Sequence, residues 1–226
     1  MFNLVKSLIS FLPIKVQKAI RLYYKVYQIT TQKNSYLVQT GYLESQVSKL
    51  PVDVNGEPLP WMNYPFIDFL SKRLRSEMEL FEYGAGYSSL YFASKVKEVV
   101  SVEYNKDWYN KIKHYEGIFA NIHLHFYRLD ENYPLAITEI DEHKKYDIII
   151  IDGRKRVKCA INAFPFLKED GVLVLDDSNR TYYQEIFNFY HKKGFKEITF
   201  SGLKPSDLET YHTTLFYRSE KNCLGI

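Results

Sequence analysis

From Glu79 onward the chain alternates between two hydrophobic patterns. Short apolar runs of strand length occur at Glu79–Tyr83, Val99–Glu103, Ile122–Tyr127, Tyr146–Ile151 and Gly171–Leu175. Between them lie stretches whose apolar residues recur at the helical period. Trp108, Ile112, Tyr115 and Phe119 share one face after the second strand. Val157, Ala160, Ile161 and Phe164 do so after the fourth, and Tyr183, Ile186, Phe187 and Tyr190 after the fifth. That last helix closes on Lys192, Lys193 and Gly194, residues suited to a helix C-terminus by charge and by backbone freedom. The run Ile148–Ile151 is β-branched and apolar on both faces, as a central parallel strand covered by helices requires. Strand and helix in alternation predict an α/β, doubly wound, mostly parallel sheet. Phe195–Ser201 and His212–Arg218 are strand-like with no helix between them, so an antiparallel hairpin is expected at one edge.

Before Glu79 the pattern changes. Residues 2–12 are apolar over a wide helical arc that Pro13 interrupts. A cleaner helix then begins at Ile14, with Val16, Ile20, Tyr23, Tyr24 and Tyr27 on one face and Lys15, Lys18, Arg21 and Lys25 on the other side. Such a face packs on the domain, on a second subunit in a homodimer, or on an anionic membrane surface as a peripheral contact. Residues 30–60 carry few periodic signals, and the stretch VDVNGEPLP at Val52–Pro60 is a loop or tight turn. A helix is expected near Asn63, with Pro65 in its first turn and Phe66, Ile67, Leu70 and Leu74 on its core face. The expected division is an N-terminal amphipathic helical extension over residues 1–50 and an α/β domain over 51–226.

Composition narrows this picture modestly. The chain has 226 residues, enough for one α/β domain with an extension, and its hydrophobic content of 46% is that of a globular protein. A net charge of +3 gives no case for nucleic acid as a partner. All the charged residues before Glu44 are basic: Lys6, Lys15, Lys18, Arg21, Lys25 and Lys33. Cys159 and Cys223 match no metal spacing and read as free thiols of a reducing, cytoplasmic compartment, with the inner face of the membrane as a peripheral alternative. Nothing resembles a signal peptide or a membrane span.

Candidate chemistry gathers at the strand ends, where ligands of such sheets bind. The stretch ELFEYGAGYSS runs from a buried strand through Glu82 and a glycine turn (Gly84, Ala85, Gly86) to a helix start at Ser88 and Ser89. It holds no Lys or Arg to meet a phosphate, and Glu82 would repel one. The second strand ends at Glu103, about 20 residues after the glycines, where a carboxylate can accept both hydroxyls of a ribose. Later ends carry Asp130, Asp152 with Gly153, and the pair Asp176 and Asp177. Each acid alone suits a solvated strand end; five in succession point to a site. His123 and His125 share one face of a strand and read as structural or exposed. His114, His143 and His191 fall in polar helical surroundings, and His212 begins the last strand.

The ordered set FEYGAGYSS, VVSVEYN, YDIIIIDG and KEDGVLVLDD, followed by a helix and a hairpin, resembles the class I S-adenosylmethionine-dependent methyltransferases over about Trp61 to Arg218. PWMNYPFIDFL, DGRKRVKCA and SGLKP…TTLFYR also resemble a bacterial methyltransferase-like group of uncharacterised substrate. The resemblance implies a Rossmann-like domain that binds S-adenosylmethionine. Gly84 and Gly86 would lie against its methionine part, with Ala85 and Ser88 in the same turn. Glu82 would hold its amino group, Glu103 with Tyr104 its ribose end, and Asp130 would sit near the adenine. Asp152 would stand beside the sulfonium, and Trp61 and Tyr64 would form part of a lid. The acceptor expected is a small molecule or glycan methylated on oxygen, with Asp152 and Asp177 as catalytic residues and Asp176 beside them.

An acid after the fourth strand and a pair after the fifth is similar to the metal-dependent catechol-type O-methyltransferases, where the second of the pair is usually Asn. Asp177 departs from that, and Arg154 and Arg156 stand nearby. A divalent cation such as Mg²⁺ therefore stays open, and so does an anionic acceptor, such as a sugar phosphate, held by Arg154, Lys155 and Arg156. Three rival readings share the glycine turn or the fold. They are an NAD-dependent oxidoreductase, disfavoured because Ser89 stands where its fingerprint has a third glycine, an aminopropyl transferase, and a non-catalytic protein that binds cofactor or a partner.

Overall fold

The computed structural model describes residues 11–115 and 117–226. The apolar run expected over residues 2–12 lies almost wholly outside them. Seven strands form one sheet: β1 (Glu79–Tyr83), β2 (Glu98–Glu103), β3 (Ile122–Phe126), β4 (Tyr146–Ile151), β5 (Leu167–Leu175), β6 (Lys196–Gly202) and β7 (Tyr211–Tyr217), in the order β3-β2-β1-β4-β5-β7-β6. The first five are parallel, and β7 inserts antiparallel between β5 and β6. This is the expected doubly wound, Rossmann-like sheet with its terminal hairpin. The order reverses between β1 and β4, which makes the carboxyl ends of those two strands the natural cleft.

Nine described α-helices accompany the sheet: α1 (Ile14–Thr31), α2 (Tyr36–Gln39), α3 (Tyr42–Ser48), α4 (Tyr64–Ser71), α5 (Tyr87–Ala93), α6 (Lys106–Lys113), α7 (Ala136–Ile140), α8 (Arg156–Ala163) and α9 (Gln184–Lys192). The period-2 alternation of the strands sorts the core into two layers. On one face Leu80, Val99, Ile148, Ile150 and Val174 pack with Phe66 and Leu70 of α4 and Leu90 and Phe92 of α5. On the other, Phe81, Tyr83, Val100, Ile149 and Leu173 pack with Ala136 of α7, Cys159 and Ala160 of α8, and Ile186 and Tyr190 of α9. α4 starts where expected: Asn63 Oδ1 accepts the Phe66 N–H at 3.0 Å, and Pro65 occupies the first turn.

Three differences from the sequence reading have physical causes. β5 begins at Leu167 rather than Gly171, through an irregular register between Tyr146 and Ile148. α6 ends at Lys113, so Tyr115 and Phe119 reach the core from turns. α2 and α3, too short to show a period, fill the stretch expected to be irregular. α3 is tied to the link between β6 and β7: Tyr42 Oη and Gln46 Nε2 donate to the Asp207 carbonyl at 2.8 and 3.1 Å, and Ser206 Oγ donates to the Ser45 carbonyl at 2.8 Å. Residues up to 50 are thus partly built into the domain. α1 is not: none of its residues is buried. No described helix is long and apolar enough to cross a membrane, and Cys159 and Cys223 are buried free thiols.

Candidate functional site

The strand ladder runs one residue past the strand ends. Gly84 N–H donates to the Val102 carbonyl at 2.8 Å, Asp152 N–H to Tyr83 at 2.9 Å, and Asp176 N–H to Ile151 at 3.2 Å. Gly84, Asp152 and Asp176 therefore arrive level, at one end of the sheet. Gly84 has φ +98°, and a Cβ on it would lie 2.8 Å from the Gly153 nitrogen. Its glycine is demanded by the β4 loop pressed against it, a stronger constraint than ligand approach.

Beneath the turn, strand alternation points Glu82 inward under α5. Register sets Ser101 beside it. Glu82 Oε2 accepts from Ser89 Oγ at 2.6 Å and Ser101 Oγ at 3.0 Å, and Ser89 Oγ accepts the Gly86 N–H at 3.1 Å. Burial pushes the Glu82 carboxyl up to about 7, against the pull of the serine hydroxyls. Glu82 thus buttresses the turn from behind.

In front of the turn lies a cavity of about 510 Å³. Gly84, Ala85, Gly86, Ser88, Glu103, Tyr104, Asp152 and Asp177 line it, all expected from the sequence. Tyr64, Glu82 and Asp130 do not. Tyr64 is buried edge-on against Tyr36 and Tyr42; Asp130 is exposed beyond the rim, its Oδ1 accepting the Asn132 N–H. Glu103 is buried at the tip of β2, and Oε1 accepts the Asn105 N–H at 2.6 Å. Burial raises its carboxyl above the ordinary range. Trp61, expected in the lid, and Arg154 and Arg156, expected beside the acids, also line the cavity, whereas Trp108, Pro51 and Arg180 were not expected. Trp108 of α6 lies over the turn, its Nε1 donating to the Ala85 carbonyl at 2.7 Å. Pro51 and Trp61 line the cavity from the segment ahead of β1, and Arg154, Arg156 and Arg180 from the tips of β4 and β5.

The acids after β4 and β5 meet basic side chains. Arg156 is only 8% exposed. Its Nη2 donates to Asp152 Oδ1 and to the Asp152 carbonyl, both at 2.9 Å, and its Nε to the Gly153 carbonyl at 2.9 Å. Its Nη1 donates to the Asp176 carbonyl, and Nη2 stands 3.6 Å from Asp177 Oδ2. Asp177 is also held by Arg180 at 2.7 Å and Lys204 at 3.1 Å. Asp176 Oδ1 accepts from Thr213 Oγ1 at 2.6 Å. Burial, with the neighbouring carboxylates, pushes Asp152 and Asp176 above the ordinary carboxylate range, and Arg156 pulls both back. This donor set does not fit a divalent cation. Arginine and lysine already stand where it would need open carboxylate oxygens, and no group of three His, Cys, Asp or Glu among the described residues is arranged to ligate one.

The chain shares its fold with S-adenosylmethionine-dependent methyltransferases of known structure. A putative caffeoyl-CoA O-methyltransferase from Staphylococcus aureus superposes with a TM-score of 0.55 at 16% identity, over 87% of this chain and 98% of that one. The O-methyltransferase TomG from Streptomyces achromogenes, solved with S-adenosylmethionine, gives 0.53 at 15% identity, over 86% and 95%. A precorrin-6y C5,15-methyltransferase from Geobacter metallireducens gives 0.50 at 18% identity, over 66% and 86%. No protein-family model matches the chain, and no curated protein matches it in sequence.

Proposed function

We propose that the chain is an S-adenosylmethionine-dependent methyltransferase acting on an oxygen of a small-molecule or glycan-type acceptor. The observation that carries this reading is the facing of Glu103 and Asp152 across one cavity, with the Gly84–Gly86 turn between them. Two carboxylates, as acceptors, and an aromatic wall (Trp61, Tyr104, Trp108) suit a cationic cofactor bearing a diol. When bound, S-adenosylmethionine supplies an electrophilic methyl group on a sulfonium.

The remaining steps fall to this chain's residues. Glu103 accepts hydrogen bonds from the ribose hydroxyls, and the turn from Gly84 to Ser88 orients the methionine end. Trp108 and Trp61 exclude water from the two sides, and most of the rate comes from holding the acceptor in line. Asp152 keeps one oxygen on Arg156; its other oxygen takes the acceptor's hydroxyl proton, helped by a proton affinity above that of an ordinary carboxylate. Asp177 holds Arg156, Arg180 and Lys204 in place around it.

Calorimetry with S-adenosylhomocysteine tests the reading. Saturable binding that Glu103→Ala weakens several-fold or more is expected; tight NADH binding with no response to S-adenosylhomocysteine overturns it.

A further inference from the structure

A second hollow of about 500 Å³ adjoins the cofactor cleft and shares Gly153, Arg154, Arg156 and Arg180 with it. Arg154, Lys155, Arg156, Lys158 and Arg180 line it with one acid, Glu131; Arg156 and Arg180 are paired with Asp152 and Asp177, which leaves Arg154, Lys155 and Lys158 set against Glu131. That acid is a weak counterweight. Glu131 is 80% exposed and is shared by Lys155 at 3.3 Å and Lys158 at 3.1 Å, an arrangement solvent screens strongly. Arg154 donates through Nε to the Tyr104 hydroxyl at 3.1 Å, and no carboxylate among the described residues forms an ion pair with it. Arg180 Nη1 donates to the Tyr182 hydroxyl at 3.0 Å, which polarises that phenol as a further donor. Guanidinium forks, an ammonium and a phenol around one hollow match the oxygens of a phosphoryl group.

We infer that this groove holds a phosphoryl group of the methyl acceptor, with Arg154 and Lys158 as its principal contacts. The inference rests on the reading of the adjoining cleft as the cofactor site. Through the shared wall, an acceptor anchored in the groove extends its reacting oxygen toward Asp152. The acceptor class is then a phosphorylated hydroxy compound, such as a sugar phosphate.

The test is calorimetric titration of inorganic pyrophosphate into the full chain, with and without S-adenosylhomocysteine. Saturable binding is expected, weakened several-fold or more by Arg154→Ala and by Lys158→Ala. Lys196→Ala removes the same charge at the opposite end of the sheet and should leave it unchanged. Lys158 lines only the groove, so Lys158→Ala should keep its affinity for S-adenosylhomocysteine. No saturable pyrophosphate binding, or equal weakening by Lys196→Ala, overturns the inference whether or not S-adenosylhomocysteine binds. Loss of S-adenosylhomocysteine binding by the unmodified chain strikes the cofactor reading instead.

A different observation carries a second inference. α1 is an 18-residue helix with no buried residue, and Val16, Tyr23 and Tyr27 are 41%, 77% and 62% exposed. Burial of Val16, Tyr23 and Tyr27 in the domain core, one of the sequence alternatives, is not seen among the described residues. Lys18, Arg21 and Lys25 lie on the opposite face, and no acid precedes Glu44. With no acid on it, α1 offers a second copy no partner for its cations, whereas an anionic lipid surface complements them. The geometry points to α1 lying in the headgroup layer of an anionic membrane.

Flotation of the full chain with phosphatidylcholine vesicles, with and without phosphatidylserine, tests this. Flotation only with phosphatidylserine is expected, lost in Tyr23→Glu/Tyr27→Glu and in Lys18→Glu/Arg21→Glu. Both changes are on the exposed helix and should leave the thermal midpoint unchanged. A chain that stays in solution with either vesicle, or that runs as a dimer which those substitutions split, overturns it.

Discussion

Arg156 folds back on its own strand tip, its Nη2 donating to Asp152 Oδ1 at 2.9 Å from four residues downstream. The same guanidinium also reaches the Asp176 carbonyl and approaches the Asp177 carboxylate. One buried side chain therefore balances the acids that end two strands. Arg156→Ala leaves Asp152 without its ion-pair partner while Asp177 keeps Arg180 and Lys204, and removing one partner of a buried pair costs about 3–5 kcal/mol. Urea unfolding at neutral pH should show a loss of that order, and Asp152→Asn should recover part of it in the double variant.

Because basic side chains hold these carboxylates, a divalent cation has little to gain there. The thermal midpoint and the affinity for S-adenosylhomocysteine should be the same in Mg²⁺ and in EDTA. Binding at 100 times Kd would stabilise the chain by about 2.7 kcal/mol, so a rise in midpoint that Asp177→Ala removes would refute the expectation.

Glu82 sets a pH dependence of stability. Its carboxyl is raised from 4.5 to about 7 by burial, so the folded chain holds a proton there that the unfolded chain has released. The contribution is fully present below 4.5 and is lost as pH rises through 7. Its size is on the order of 3 kcal/mol. Glu82→Gln keeps an acceptor for Ser89 and Ser101 and cannot ionise. The variant should gain on the parent chain between about pH 5 and about pH 8, read from denaturant midpoints at several pH values. Parallel pH profiles for the two chains would count against it.

Gly84 combines φ +98° with a Cβ position 2.8 Å from the Gly153 nitrogen. Gly84→Ala must strain its backbone and part the β1 and β4 loops. A destabilisation of about 2 kcal/mol or more is expected, with weakened binding of S-adenosylhomocysteine. Thermal unfolding and calorimetry on one preparation check both.

Much of this architecture is legible in residue order, because strand and helix periods report burial directly. The sheet, its hairpin and the acids at the β2 and β4 tips follow from alternation and from turn chemistry. Glu82 shows how a strand position can be misplaced. Its parity with Leu80 puts it under α5, yet an acid before a glycine turn reads as a ligand contact. Arg156 sits in a basic run that looks solvated, although its spacing four residues beyond Asp152 at a helix start was a usable sign. Trp108 falls on the apolar stripe of α6 and so reads as core, whereas its indole covers the Ala85 carbonyl. For α1 the period identifies an apolar face and is silent about what meets it.

The grip of α3 on the β6–β7 link bears on the order of assembly. Tyr42 meets the Asp207 carbonyl across 165 positions of sequence, and the Tyr64 N–H meets the Leu203 carbonyl at 2.9 Å from a comparable separation. Neighbouring parallel strands close much shorter loops, so the sheet and the floor of the cleft can form before these distant contacts do. The β6–β7 link, whose Lys204 and Asp207 line a hollow with Trp61, Asp152 and Asp176, is then the last part to dock and the first to open under mild denaturant. Amide exchange should find its protection lost well before that of β1 and β4, and a chain in that half-open state would present Asp152 and Asp176 to solvent on the side that the link covers.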